Sequence, residues 1–370
     1  MPALSSRAAA VLLDMAGCPN RCRHCWLGNP PNRRMSIETL QWVAQQFRAW
    51  APSGQSAPCG ERAPFFQPLT VSTWFREPDF ADDYRRFYEL ERELGDGEPA
   101  RFELLSIWRL AHDEGYARWA RDIGTEACQI TFFGLERNTD YFVRRRGAFR
   151  DSLLATERLL EVGIRPRWQV FMLEPVIPEL PRLVDLIQQL DLERRVRALG
   201  HEFAVFLNIP SPDGEAFHIE HLRPTEDALS AIPANLAAKT CQHFGAATLQ
   251  ECLGKAEGEL LRELVDCDQP FADMPSTLAF MVTPDLDVYS NIAEPQPWWR
   301  LGNLREDGLD AILDCFQQDA NPGLRAQFHL PVSRLARAYG RAEGRQLYSR
   351  GDLIRRWLRL WGEEQAIPAE

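Results

Sequence analysis

Between residues 8 and 222 the sequence alternates short apolar runs with amphipathic stretches, and that rhythm limits the fold more than any other feature. The runs "AAAVLLD" (8–14), "PLTVSTWF" (68–75), "RFELLSIWR" (101–109), "ACQITFFG" (127–134), "RPRWQVFML" (165–173) and "EFAVFLNIP" (202–210) read as buried strands. Between them lie helical patterns such as "IETLQWVAQQFRAW" (37–50) and "RDSLLATERLLEVG" (150–163), the latter ending in a glycine suited to cap a helix. Residues 51–66, rich in Pro, Gly and Ser, read as a loop. Six strand–helix units of this kind predict a parallel sheet with helices on its outer face. Such α/β folds carry their working residues at the C-terminal ends of the strands. The rhythm changes near residue 222. Residues 224–266 read as mostly helical, "LAFMVTPDLDVYSN" (278–291) as a hairpin, and the rest as further helices. A division into 1–222 and 223–370 is expected.

Composition narrows the setting. With 370 residues and 45% apolar content, the chain can bury a large core. Its net charge of -11 argues against broad binding to a phosphate backbone. No run approaches the roughly 18 apolar residues of a membrane span. Nine unevenly spaced cysteines do not suit an extracellular disulfide scaffold and point to a reducing, cytoplasmic setting. The start of the chain runs straight into a cysteine cluster, which argues against a cleaved signal peptide.

That cluster, "GCPNRCRHCW" (17–26), follows the first strand and spaces Cys18, Cys22 and Cys25 as C-x3-C-x2-C. Thiolates are soft ligands that favour iron–sulfur clusters, zinc and copper(I). A structural zinc site normally closes with four protein ligands, whereas three thiolates can hold three irons of a [4Fe–4S] cube and leave the fourth open. Arg21 and Arg23 place positive charge beside an anionic cluster, which eases its reduction. A zinc knuckle or metal-free reactive cysteines are the competing readings of the spacing alone.

The segment resembles the cluster-binding loop of the radical S-adenosylmethionine superfamily. The position before the last cysteine, usually aromatic there, is His24. The resemblance implies a partial (β/α)6 TIM-like barrel over about residues 8–222. It also implies one [4Fe–4S] cluster on Cys18, Cys22 and Cys25, with S-adenosyl-L-methionine at the open iron. One electron, delivered by a flavodoxin- or ferredoxin-like donor, would cleave the sulfonium and give a 5′-deoxyadenosyl radical that abstracts hydrogen from the substrate. "WFREPDF" (74–80) stands where the family carries a Gly-Gly-Glu-Pro-like segment; Glu77 and Pro78 match, while Phe75 and Arg76 replace the glycines. Glu77 is the expected acceptor for the cofactor's amino group. Ser106, near the end of the third strand, is a further cofactor-site candidate. Gln129 and Thr131 share a strand face and are expected at the ribose hydroxyls. Arg144, in the run 144–146, is the candidate for the cofactor's carboxylate. Gln169 and Asn208 are polar groups in otherwise apolar strands and need partners.

Residues 282–313 resemble the C-terminal extension of the SPASM or twitch type, with "PDLDV" and "LGN" in place. Ser290 and Asn291 stand where an auxiliary-cluster cysteine is expected, and neither is a good iron ligand. The extension, mainly helical with one hairpin, is therefore expected to lack an auxiliary cluster. Cys241, Cys252 and Cys267 are unranked as hydrogen-atom donors. The few residues before the first strand leave no room for a cobalamin-binding domain, which counts against a methylase of that layout. The expected function is hydrogen abstraction from a small-molecule or peptide natural-product substrate, biased toward redox-neutral rearrangement, epimerisation or elimination. The alternatives are a radical enzyme that modifies nucleic acid, disfavoured by the acidic balance, and a non-enzymatic iron–sulfur or zinc protein.

Overall fold

The computed structural model describes residues 7–51, 64–99, 101, 103–272 and 277–366. Most of the Pro/Gly/Ser-rich segment read as a loop lies outside them. Five strands of the first half form where the apolar runs predict them: β1 (Ala8–Asp14), β2 (Leu69–Trp74), β3 (Ala127–Phe132), β4 (Arg165–Phe171) and β5 (Val205–Asn208). They pair in parallel, β1 with β2 and β3 with β4 and β5, in two separate sheets. Helices between them cover the apolar faces, as parallel strands require. This is the partial-barrel arrangement, and no closed barrel forms among the described residues.

The third expected strand is absent among the described residues. Ile107–His112 is instead a short helix, begun by Ser106, whose hydroxyl accepts the Arg109 N–H at 2.9 Å. A serine three residues ahead of a free N–H is a capping arrangement, and it overrides the short apolar run. Glu103 is left-handed (φ 60°), and its carbonyl accepts from Gln129 N at 2.9 Å, so the segment runs beside β3 without a ladder.

Beyond residue 222 come β6 (Lys255–Ala256), β7 (Thr277–Val282), β8 (Asp287–Tyr289), β9 (Arg300–Asn303) and β10 (Leu347–Tyr348). β7 and β8 are the expected hairpin. β7 also lies parallel to β1, with Ala8 opposite Thr277 and Leu13 opposite Val282, so the first sheet runs β2–β1–β7–β8–β9. β6 and β10 pair with each other. Arg223 is buried here: its Nε donates to Leu347 O (2.8 Å), its Nη1 to Pro210 O (2.6 Å), and its guanidinium lies 4.0 Å from the Tyr348 ring centre. The helix Arg350–Ala366 returns to the first half. Arg356 Nε meets Glu220 at 2.6 Å, and Arg359 Nη1 donates to Gly214 O at 3.1 Å. No helix of the described residues is long and apolar enough to cross a membrane.

Candidate active site

A cleft of about 310 Å³ opens at the C-terminal ends of β1, β2 and β3. Cys18, Cys22 and Cys25 line it together with His24, Glu77, Gln129, Thr131 and Arg145. The cysteine loop leaves β1 through Gly17. A side-chain carbon at that position would stand 2.8 Å from both Phe75 and Phe80. Gly17 thus makes room for the large residue after β2, and its carbonyl accepts from Glu77 N at 3.0 Å. Arg76, the second replacement in the glycine pair, is buried in an ion pair with Asp14 at the end of β1 and donates to Leu27 O at 3.2 Å. Burial holds its pKa down to about 10. The two large residues therefore clamp the loop to the ends of β1 and β2.

All three thiols are free. Burial, reinforced by Glu77, pushes Cys18 up to about 12; burial pushes Cys25 up to about 11; and burial with the other two thiols raises Cys22 well above its ordinary value. Burial thus favours the neutral thiols, and a metal bound there would displace their protons. No three His, Cys, Asp or Glu side chains among the described residues converge as a single metal ion requires. A cube is met differently, because each thiolate takes its own iron corner. Three free thiols lining one cleft are a soft donor set that suits a cluster. His24 does not join it. Its ring packs 4.7 Å from Phe133 and 5.2 Å from Phe171, and its buried Nδ1 has no hydrogen-bond partner. Burial lowers its pKa to about 4, so it fills an aromatic position as a neutral ring.

Glu77 is buried, with Oε1 accepting from Ser106 Oγ (2.9 Å) and Trp108 N (2.9 Å). The carboxylate sits at the start of the helix Ile107–His112, where N–H groups lack helical partners. Burial raises its pKa, against these bonds and the Arg145 charge. Ser106 is fully buried and holds Glu77 without lining the cleft. Behind it runs a polar chain: Ser106 N donates to Tyr116 Oη (3.2 Å), Tyr116 Oη to Asp79 (2.6 Å), and Arg101 bridges Asp79 (3.1 Å) and Glu91 (2.9 Å). Nothing local in the sequence announces this chain, because its members come from four separate segments.

Gln129 and Thr131 both line the cleft. Gln169 stands behind them on β4, accepting from Gln129 Nε2 at 2.5 Å and Thr131 Oγ1 at 3.5 Å. Two sequence candidates lie elsewhere. Arg144 caps the helix Glu136–Val143 in a left-handed conformation and turns to Glu215 at 3.5 Å; the arginine in the cleft is its neighbour Arg145, tied to Asn20 (2.6 Å) and Asp151 (2.5 Å). Asn208 accepts from the next backbone N–H, Ile209, at 2.8 Å and does not line the cleft. Nor do Cys241, Cys252 or Cys267; the sulfurs of the first two lie 3.9 Å apart.

No family model and no curated protein matches the chain. Solved structures do. The structure titled native anSMEcpe with bound AdoMet superposes at a TM-score of 0.50 and 12% identity, over 96% of this chain and 98% of that one. Native anSMEcpe with AdoMet and the Cp18Cys peptide gives 0.50 and 11%, over 97% of each chain. This chain shares the fold of anSMEcpe. Streptococcus suis SuiB bound to S-adenosylmethionine follows at 0.41 and 11%, over 85% of this chain and 67% of that one. At these identities the likeness is one of fold.

Proposed function

We propose that the protein is a radical S-adenosylmethionine enzyme acting on a small molecule or a peptide. One observation carries this reading: three free cysteines and the buried carboxylate of Glu77 line a single cleft at the ends of β1 and β2. Cys18, Cys22 and Cys25 would hold a [4Fe–4S] cluster. When bound, the reduced cluster supplies the electron that cleaves S-adenosylmethionine and so begins hydrogen abstraction. Glu77, fixed by Ser106 and Trp108, orients an ammonium group in the cleft. Arg145 offers a cation for a carboxylate, in the role first assigned to Arg144. Gln129 and Thr131 present polar groups to hydroxyls, and Gln169 holds them. Trp26, Trp74 and Leu104 line the same cleft with apolar surface and limit water around the reacting atoms. Residues 223–370 serve as an extension of SPASM or twitch type that has exchanged its auxiliary ligands for Ser290 and Asn291. The bias toward redox-neutral chemistry rests on that exchange.

Anaerobic reconstitution tests this reading. The expected product holds about four irons and four sulfides per chain. With a strong reductant and S-adenosylmethionine it should release 5′-deoxyadenosine and methionine. Stoichiometric, tightly held zinc, or an intact reduced cluster that yields no 5′-deoxyadenosine, would overturn it.

A further inference from the structure

We infer that the outer face of the cysteine loop is a docking surface for an acidic one-electron carrier protein, an inference that rests on the cluster reading above. Segments 17–34 and 136–150 contain nine arginines and only two carboxylates, Glu136 and Asp140, in a chain whose net charge is -11. The fold joins them into one surface. Arg21 N donates to Val143 O (3.4 Å) and Arg23 N to Phe142 O (2.7 Å). Arg23 Nε donates to Tyr141 O (3.3 Å), and its guanidinium lies 4.2 Å from the centre of the half-exposed Tyr141 ring.

Ion pairs cancel five of the nine arginines and leave the others as net positive charge. Asp140 accepts from Gly147 N (2.6 Å) and Phe149 N (3.0 Å), and Glu136 pairs with Arg150 (2.8 Å). From other elements, Glu215 faces Arg144, Asp151 takes Arg145, Asp285 pairs with Arg33 (2.7 Å) and Asp83 with Arg34 (3.0 Å). Arg21, Arg23 and Arg146 have no ion pair among the described residues. Arg21 Nη1 is held by the carbonyls of Asn29 (2.6 Å) and Pro30 (2.8 Å), which fix the cation without cancelling its charge.

Position favours an electron carrier over other acidic partners. Arg21 and Arg23 flank Cys22, so a protein seated on them comes within one residue of a cluster ligand. Arg21, Arg23, Tyr141, Arg144 and Arg146 do not line the cleft, so docking here leaves the substrate's entry open. Redox partners meet through small, short-lived contacts steered by complementary charge. A nucleic acid would run on from the patch across a surface that carries the chain's excess of acid. In the proposed step one electron passes from the reduced carrier to the cluster, and no bond forms or breaks.

The reconstituted protein and a bacterial flavodoxin provide the test. Binding is measured at low and high salt, and cluster bleaching is followed with reduced flavodoxin and, separately, with dithionite. Arg146→Glu changes an exposed arginine with no ion pair; Arg21→Gln with R146E removes charge beside Cys22. Each should weaken flavodoxin binding at low salt about threefold or more and slow bleaching by flavodoxin in step, with the difference fading at high salt. Bleaching by dithionite should not change in R146E; in the double variant, where loss of the Arg21 charge itself makes the cluster harder to reduce, flavodoxin binding is the readout. Unchanged flavodoxin binding and bleaching in both variants would overturn the surface. So would tighter binding of a single-stranded 20-nucleotide RNA than of flavodoxin at equal salt. A protein that takes up no iron and sulfide would instead sink the cluster reading itself.

Discussion

Glu77 concentrates the chemistry of the site at the scale of one residue. Its carboxylate is buried, charged groups are costly there, and two donors from one short helix hold it in place. Glu77→Gln keeps the shape and can still accept from Ser106 and Trp108, but it loses the charge that an ammonium group answers. A hydrogen bond to a charged partner contributes about 1.5–3 kcal/mol, so affinity for S-adenosylmethionine should fall about tenfold or more. Iron content should stay the same. Calorimetric titration of the reconstituted E77Q protein checks both, and unchanged affinity would return Glu77 to a purely structural role. The Glu-Pro pair made Glu77 legible in the sequence, and the polar members of β3 and β4 stood out against apolar neighbours. The choice within Arg144–Arg146 was not legible. A left-handed residue at the helix end decides which arginine faces the cleft, and the sequence around it does not reveal that conformation.

At the scale of elements, the cysteine loop is shaped by what leans on it from outside. Gly214 is left-handed (φ 54°), and a side-chain carbon there would stand 2.5 Å from Cys25 O and 2.7 Å from Trp26 O. Glu215 N donates to Cys25 O at 2.9 Å, and Glu294 N to Trp26 O at 3.0 Å. These contacts hold the backbone of the last cysteine and of the residue after it. Gly214→Ala adds backbone strain and pushes on atoms that cannot swing away. Overpacking of this kind costs about 1–3 kcal/mol. The expected result is a lower melting temperature and less iron retained per chain after desalting. Full iron retention in G214A would show that the loop is set from within. This brace was invisible beforehand, since Gly214 lies 189 residues from Cys25 and reads as an ordinary turn glycine. The helix Ile107–His112 was misread for a different reason. Its apolar run is short enough to suit either state, and the capping role of Ser106 outweighed the pattern.

At the scale of the molecule, the alternation of strands and helices revealed the local units but not how the sheet is completed. β1 is flanked by β2 on one side and by β7 on the other, and β7 begins 269 residues after β1 begins. A change of rhythm near residue 222 marks a change in local pattern, while strand pairing over such a separation leaves no periodic trace. The core records the same fact. Of the 28 buried residues packed around the first sheet, twelve lie beyond residue 222, including Phe280, Val288, Ile312 and Phe316. Each large buried apolar side chain contributes about 1.5–3 kcal/mol. Losing twelve removes more than the about 5–15 kcal/mol that holds a typical domain together. It also exposes one edge of β1, whose Ala9, Val11 and Leu13 are fully buried, and a bare apolar edge invites aggregation. A fragment of residues 1–222 should therefore fail to fold alone, although it keeps all three cysteines and Glu77. Sedimentation and far-ultraviolet circular dichroism of the fragment check this, with iron uptake as a third measure. A soluble, cooperatively unfolding fragment that binds a cluster would show that β7 is an addition to the first sheet and not a structural part of it.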